Sequence, residues 1–127
     1  MQESHLFEYA VIRVVPRVER EEFLNVGVIL FCSKQKFLKA TLELNEARLK
    51  ALCHTIDIAE LQEYINSFIR ICEGGAQGGP IGKLSMAERF RWLTATRSTV
   101  IQTSKVHPGL CGDATETLGR LYKELVL

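Results

Sequence analysis

Two nearly uninterrupted apolar stretches dominate the first quarter of the chain, residues 7–16 (FEYAVIRVVP) and 22–32 (EFLNVGVILFC). Both are rich in β-branched and aromatic residues, and apolar side chains occupy both alternating faces. A strand with this pattern is covered on both sides, so we predict two central strands of a sheet. The charged connection between them, RVERE, is too short for a helical crossover and favours antiparallel pairing.

Polar residues and a glycine interrupt these two stretches. Gly27 lies inside the second strand, where glycine marks a bulge or a close approach of two backbones. Arg13 lies inside the first, and a buried arginine is costly unless it is paired. Arg13 therefore reaches water, pairs with a buried acid, or points into a cleft that Arg17 and Asn25 could share.

The remaining pattern predicts one more strand and then helices. Residues 37–44 alternate as a half-exposed third strand, after which the apolar period changes from two to about 3.6. Helices are expected over 46–53, after Asp57, from Ser85 to about Leu93, and after Asp113, where side chains can cap the first turn. We place Tyr64 and Ile69 at the margins of the apolar stripe of the second helix.

Three further features complete the predicted fold. Residues 97–103 are interpreted as a fourth strand, and the sequence His-Pro-Gly at 107–109 as a type II turn. The glycine-rich segment 73–82 is interpreted as a flexible connector, because Gln77 and Leu84 break the phosphate-loop pattern. The expected fold is α+β, a mostly antiparallel sheet of about four strands with amphipathic helices packed on it, in a single domain over 1–127.

Charge and targeting features narrow the class of protein. Sixteen Lys and Arg residues balance 15 Asp and Glu residues, so no global charge favours nucleic acid or an anionic membrane. The first ten residues lack the features of a signal peptide, and no apolar run approaches the roughly 20 residues of a membrane span. The four cysteines form no CxxC pair, which predicts reduced thiols in a cytoplasmic protein, three of them packed as small apolar residues.

The segment from Ser85 to Gly112 concentrates the polar groups suited to directed contacts. It contains the single Trp of the chain, and residues 83–105 carry five Lys or Arg against one acid. Guanidinium groups suit carboxylate and phosphate, and Trp with Arg is typical of interfaces. Alternatively, these arginines pair with internal acids such as Glu19, Glu21 and Glu22 or cover the core with their stems. The candidate binding residues are Arg13, Arg17, Arg89, Arg91, Trp92, Arg97, Ser98, Gln102 and His107.

Evidence for catalysis in the sequence is weak. His107 could act as a general base near neutral pH, with hydroxyl and thiol groups nearby in sequence, but a structural role for its ring in the turn is the favoured interpretation. Asp113 is already explained as a helix cap, and Gln102 as a residue that satisfies backbone groups at a strand end. The three histidines are too scattered for a metal site, and no cofactor motif is present, so neither a metal nor a cofactor is expected.

Three segments carry a resemblance to a known family: YAVIRVVPRVEREEFLNVGVILFC, ERFRWLTATRST and QTSKVHPGLC. Together they resemble a bacterial family catalogued as a domain of unknown function, number 3037, over nearly the whole chain. The resemblance implies a small cytosolic protein with no established activity and no established catalytic residues. It also implies an association with a kinase-like protein resembling the HipA toxin family, whose gene often lies beside genes of this type.

Two functions from different classes follow from these observations. The first is a non-enzymatic binding or regulatory module whose Arg/Trp segment contacts a partner protein, with a HipA-like kinase as the partner that the resemblance implies. The second is a small enzyme or ligand-binding protein for a phosphorylated or carboxylated substrate, using Arg13, Arg91, Arg97 and His107. The lack of a nucleophile–base pair or a complete nucleotide loop favours the first. Nucleic-acid binding ranks third because the basic patch is small.

Overall fold

An antiparallel sheet forms the centre of the molecule in the computed structural model, which describes residues 4–127. Its path is β3-β2-β1-β4, and a further strand, β5, also pairs with β1. The strands are β1 (His5–Val14), β2 (Leu24–Cys32), β3 (Phe37–Leu42), β4 (Ile101–Thr103) and β5 (His107–Cys111). The α+β class is confirmed, and the sheet gains a fifth strand that the sequence pattern did not predict.

Helices cover both faces of this sheet. They are α1 (Glu46–Leu52), α2 (Ile58–Glu73), α3 (Gly79–Gly82), α4 (Met86–Leu93) and α5 (Ala114–Leu125), with 3₁₀ turns at Val18–Arg20 and Ala76–Gly78. Buried residues of α2 and α4 pack with Ala10, Ile12 and Val14 of β1 on one face. On the other face, Leu118 and Leu121 of α5 pack with Phe7 of β1. Within residues 4–127, no helix combines the length and apolar character needed to cross a membrane.

The two central strands behave as their composition predicts. In β2, every residue from Val26 to Cys32 is buried, because α2 and α4 cover one face and α5 the other. Gly27 serves both roles expected of a glycine inside a strand. The pairing of β1 with β2 shifts by one residue next to Gly27, and a Cβ at this position would lie 2.3 Å from the Cβ of Leu42.

Strands β4 and β5 are two halves of one edge, and this corrects the predicted turn at 107–109. Thr103 pairs with Ile12 and His107 pairs with Tyr9, so three residues on the edge oppose two on β1. This is a β-bulge, and the Ser104 hydroxyl accepts a hydrogen bond from the Val11 N–H at 2.8 Å within it. The His-Pro-Gly sequence is therefore strand, and the predicted fourth strand at 97–103 is reduced to Ile101–Thr103.

The glycine-rich segment after α2 is also ordered differently from the expected connector. It folds into a 3₁₀ turn and the short helix α3, and it closes on itself where the Gly75 N–H donates to the Gly82 carbonyl at 2.7 Å. A Cβ at Gly82 would lie 2.4 Å from the Gly75 carbonyl oxygen, so the closure requires a residue without a side chain.

Side-chain caps hold the helix starts where they were predicted. Asn45 and Asp57 each accept a hydrogen bond from the third backbone N–H after them. Ser85 and Glu88 form a complete capping box, and Asp113 accepts from the Thr115 N–H. The Glu88 carboxylate therefore occupies the N-terminus of α4.

Candidate binding groove beside Trp92

A half-open cavity of about 430 Å³ lies between α2, α4 and the chain that leads into β4. We call it the Trp92 groove. Aromatic and aliphatic side chains make up most of its wall, and one guanidinium group contributes charge. Its lining consists of Tyr64, Phe68, Ile71, Trp92, Leu93, Ala95, Arg97, Thr99, Val100, Ile101, Gln102 and Thr103.

Helix α4 presents Trp92 to this groove. Phe90 and Leu93 are buried and fix the helix against the sheet, where the Phe90 ring stacks on Phe31 with centroids 5.4 Å apart. Trp92 lies between these two anchors in sequence and points to a different side of the helix, so it stays 45% exposed. An indole left about half in solvent is a surface that a ligand can cover.

Arg97 supplies the charge in the groove. Its guanidinium carbon lies 4.8 Å from the centroid of the Trp92 ring, and its Nη2 donates to the Trp92 carbonyl. Within the described part of the chain, no carboxylate lies within salt-bridge distance of Arg97. The cation is thus positioned by an aromatic ring and a backbone oxygen, and its charge is available to an incoming acid.

Helix α2 forms the opposite wall, which the sequence interpretation missed. Tyr64 was assigned to the apolar stripe, but it is about as exposed as Trp92 and lines the groove together with the buried Phe68. Its hydroxyl donates to Glu60 Oε1 at 2.9 Å, and this hydrogen bond to the Glu60 carboxylate raises the pKa of Tyr64. The position of Tyr64 at the margin of the stripe was the signal that could have placed it there.

The segment 99–103 forms the remaining side of the groove. The Gln102 amide donates to the Thr99 carbonyl at 2.8 Å, and the Thr99 hydroxyl donates to the Ile101 carbonyl at 2.7 Å. These bonds shape the entry into β4, as the interpretation of Gln102 as a strand-end residue anticipated. Ser98 is exposed but is not among the residues that line the groove.

Arg91 points away from the groove and is paired within the chain. Its two terminal nitrogens bind both oxygens of Glu8 in β1, at 2.9 and 2.8 Å. This fork fastens α4 to β1, and the hydrogen bond to Glu8 raises the pKa of Arg91. The idea that internal acids hold these arginines is correct for Arg91, although the acid is Glu8.

Arg89 is a structural residue. It is buried, and its guanidinium donates to the carbonyls of Ile71 and Cys72 at the end of α2 and to the carbonyl of Leu84. The last carbonyls of a helix lack partners within that helix and carry partial negative charge, so this cation completes the end of α2. Arg89 is therefore unavailable to a binding partner.

The other candidate residues lie outside the groove. Arg13 lies on the α5 side of the sheet, where its guanidinium carbon sits 3.9 Å from the centroid of the Phe23 ring. Burial lowers the pKa of Arg13, and its Nε has no hydrogen-bond partner among residues 4–127. Asn25 lies directly opposite Arg13 in the pairing of β1 with β2, as anticipated, whereas Arg17 pairs with Glu19 and Arg20 with Glu22.

His107 lies on the same side of the sheet as Arg13. It is exposed, and its ring packs against Tyr9 with centroids 5.4 Å apart. His107 is not part of the groove lining, and no Ser, Thr or Cys among the described residues hydrogen-bonds its ring. Within the same residues, no cluster of three potential metal ligands occurs.

Comparison with known proteins places the chain in one family. No curated protein and no solved structure gives a significant match. A family model matches residues 9–126, which include both walls of the Trp92 groove and all of the sheet after Glu8. The chain belongs to the family described as Protein of unknown function (DUF3037).

Proposed function

We propose that this protein is a non-enzymatic binding module that holds part of a partner protein in the Trp92 groove. The observation that carries the proposal is the combination in one cavity of a half-exposed indole and a guanidinium without a carboxylate partner among residues 4–127. Tryptophan and arginine contribute most to binding energy when a partner excludes water from them. Both are already oriented here, so little conformational entropy is lost on binding.

The groove also has the composition expected of a binding site. Aliphatic and aromatic side chains surround a few polar groups, which is the usual arrangement in sites that recognise an apolar group and orient it by one charge. The expected recognition element is an apolar side chain accompanied by a carboxylate, because the single cation in the lining is Arg97.

The enzyme alternative receives less support from the same geometry. Arg13 and His107 lie on the α5 side of the sheet, whereas Arg91 is tied to Glu8 on the other side. Of the four groups that this alternative requires, Arg97 alone lines the groove. A small carboxylated ligand in the groove would be the form of this alternative that the geometry permits.

The family resemblance suggests the first partner to test. A HipA-like kinase is the candidate, and we propose that one of its exposed segments enters the groove. The direct experiment is co-purification of the two tagged proteins and measurement of the dissociation constant. The variants are Trp92→Ala and Arg97→Gln, with Phe23→Ala and Arg120→Gln as controls. Phe23 is exposed to the same extent as Trp92, and Arg120 is an exposed arginine on α5.

The experiment has three distinguishable outcomes. We expect each groove variant to weaken binding at least tenfold and the control variants to leave it unchanged, with all four proteins folded by circular dichroism. Equal binding by Trp92→Ala and the unmodified protein would refute the groove as the contact surface. Tight binding of a small carboxylate, with the same loss in Arg97→Gln, would replace the protein partner by a ligand.

A further inference from the structure

We infer that the bound segment is an extended peptide that pairs with the outer edge of β4 and so adds a strand to the sheet. This inference rests on the proposed function of the Trp92 groove and specifies the form of its occupant. Addition of a strand to a sheet edge is an established mode of peptide recognition, in which backbone hydrogen bonds give affinity and alternate side chains give specificity.

The hydrogen bonds of the edge show which backbone groups are free. The Val15 N–H donates to the Val100 carbonyl at 2.7 Å, and the Ser104 N–H donates to the Val11 carbonyl at 2.8 Å. Backbone groups of an antiparallel strand alternate in direction, so Val100, Gln102 and Ser104 face β1. Ile101 and Thr103 therefore direct their N–H groups away from the sheet, and neither N–H has a backbone partner among the described residues.

The two halves of this edge differ in what they offer. In β5, the backbone groups of His107 and Gly109 point toward their partners Tyr9 and Phe7 in β1. The backbone groups of Pro108 and Leu110 therefore point outward. Proline has no N–H to donate, and it is a common way to block an exposed edge. Strand β4 contains no proline, although its outward Ile101 carbonyl already accepts a hydrogen bond from the Thr99 hydroxyl. Pairing along the outer edge is therefore open at the N–H groups of Ile101 and Thr103 and interrupted at β5.

The opposite edge of the sheet is covered in part. There, Ala40 of β3 packs in the same apolar cluster as Cys72 of α2, so α2 covers part of that edge. A cavity of about 330 Å³ lies beside β3, whereas the larger Trp92 groove of about 430 Å³ lies beside the free N–H groups of β4.

The groove and the free edge coincide. Five consecutive residues, 99–103, line the Trp92 groove, so a strand paired with β4 would lie within it, about 4.8 Å from β4. The Ile101 side chain packs into the core on the face of the sheet that α2 covers. Side chains of the added strand that point to the same face would contact Tyr64 and Trp92. Every second side chain of the peptide would enter the groove, and these positions should be apolar.

The charges at the two ends of β4 define the remaining chemistry. Arg97 precedes the strand and Lys105 follows it, and neither has a carboxylate within salt-bridge distance in residues 4–127. An extended peptide with acidic residues flanking an apolar core would match both cations. Electrostatic complementarity of this kind fixes register and speeds association.

The test uses a phage-displayed library of random 12-residue peptides as the probe, followed by synthesis of the enriched sequences. Each peptide is N-methylated at one backbone position at a time, and binding is followed by Trp92 fluorescence. We expect the enriched peptides to carry acidic residues at both ends and apolar residues at every second position between them. Methylation at alternate positions should weaken binding at least about fivefold, the equivalent of one lost backbone hydrogen bond, and methylation between them should have little effect.

A variant of the protein gives a second measurement. Thr103→Pro removes an outward N–H and repeats on β4 the block that Pro108 places on β5, whereas Thr103→Val retains the N–H. Thr103→Pro should lose peptide binding and Thr103→Val should keep it, and the N-methyl series decides the question if Thr103→Pro fails to fold. Binding that depends on Trp92 but not on peptide N-methylation would overturn strand addition and leave the groove intact. If no peptide is enriched, both the strand addition and the groove as a protein-binding site are overturned.

Discussion

The ring of Phe7 in β1 lies across Gly109 in β5. The two residues are paired in the sheet, and a Cβ at Gly109 would lie 2.6 Å from Cζ of the ring. Phe7 is buried in the cluster under α5, so its ring cannot move aside without disturbing that cluster. Gly109 is thus required by the side chain of its neighbour on the sheet, whereas the sequence had suggested that it was required by a turn.

We expect Gly109→Ala to destabilise the protein by about 1–3 kcal/mol, the usual cost of forcing an extra methyl group into a packed core. Chemical denaturation followed by circular dichroism measures this cost. The matched control is Gly119→Ala in α5, where a Cβ would meet no atom within 4 Å. Alanine is the better helix former, so the control should gain about 0.5–1 kcal/mol. A Gly109→Ala protein as stable as the unmodified one would contradict the packing described here.

The His-Pro-Gly segment illustrates what a sequence pattern leaves undetermined. Strands β1 and β2 were predictable because continuous apolar runs allow few other structures. Residues 107–109 combine a proline and a glycine, which are typical of turns. Their role as strand depends on residues about a hundred positions earlier in the chain: Phe7 covers Gly109, and pairing with Glu8 leaves Pro108 facing outward.

The candidate site was predictable in part for the same reason. Trp92, Arg97 and Gln102 lie close together in a segment rich in polar groups, and this composition predicted them as binding residues. Which arginines are paired within the chain was not predictable, because their partners are distant in sequence. Arg89 binds carbonyls of α2, and Arg91 binds the Glu8 carboxylate. Tyr64 reaches the groove by the packing of α2 across the sheet, which periodicity alone does not specify.

Arg89 should affect stability and not partner binding. Arg89→Met removes three hydrogen bonds and leaves buried carbonyls at the end of α2 without a donor, so we expect a loss of at least about 2 kcal/mol in the free energy of unfolding. Gly74→Ala should act at the same place, because its Cβ would lie 2.6 Å from Arg89 Nη1 and its φ of +83° disfavours a side chain. Urea titration measures both, and an Arg89→Met protein of normal stability would show that Arg89 is not structural.

Arg91 should contribute modestly to stability through Glu8. The pair is bidentate but only partly shielded, so a double-mutant cycle with Arg91→Ala and Glu8→Gln should give a coupling energy of about 0.5–1 kcal/mol. Partner binding by Arg91→Ala should remain within a factor of two of the unmodified protein, since Arg91 does not line the groove. A tenfold loss of binding would return Arg91 to the contact surface.

The thiols should differ sharply in reactivity. All four cysteines are free; Cys53 is half-buried, whereas Cys32, Cys72 and Cys111 are buried. The pKa of Cys53 is lowered, chiefly because the Thr55 hydroxyl hydrogen-bonds its sulfur at 3.4 Å. Iodoacetamide at pH 8 should therefore modify Cys53 first, as mass spectrometry of the peptides would show. The Cys53→Ser protein should stay unmodified on the same timescale, and equal labelling of Cys72 in the folded protein would contradict this order.

Cys72 should make stability depend on alkaline pH. Burial raises the pKa of its thiol to about 12, whereas the thiol of an unfolded chain has a pKa of about 8.5. Between these values the folded state retains a proton that the unfolded state has released, so the free energy of unfolding falls as pH rises through this range. Urea titrations of the unmodified and Cys72→Ala proteins at pH 8 and pH 10 isolate this contribution, because other groups titrate equally in both. We expect the stability difference between the two proteins to shift by more than about 1 kcal/mol in favour of Cys72→Ala at pH 10, and a constant difference would show that the folded-state thiol ionises normally.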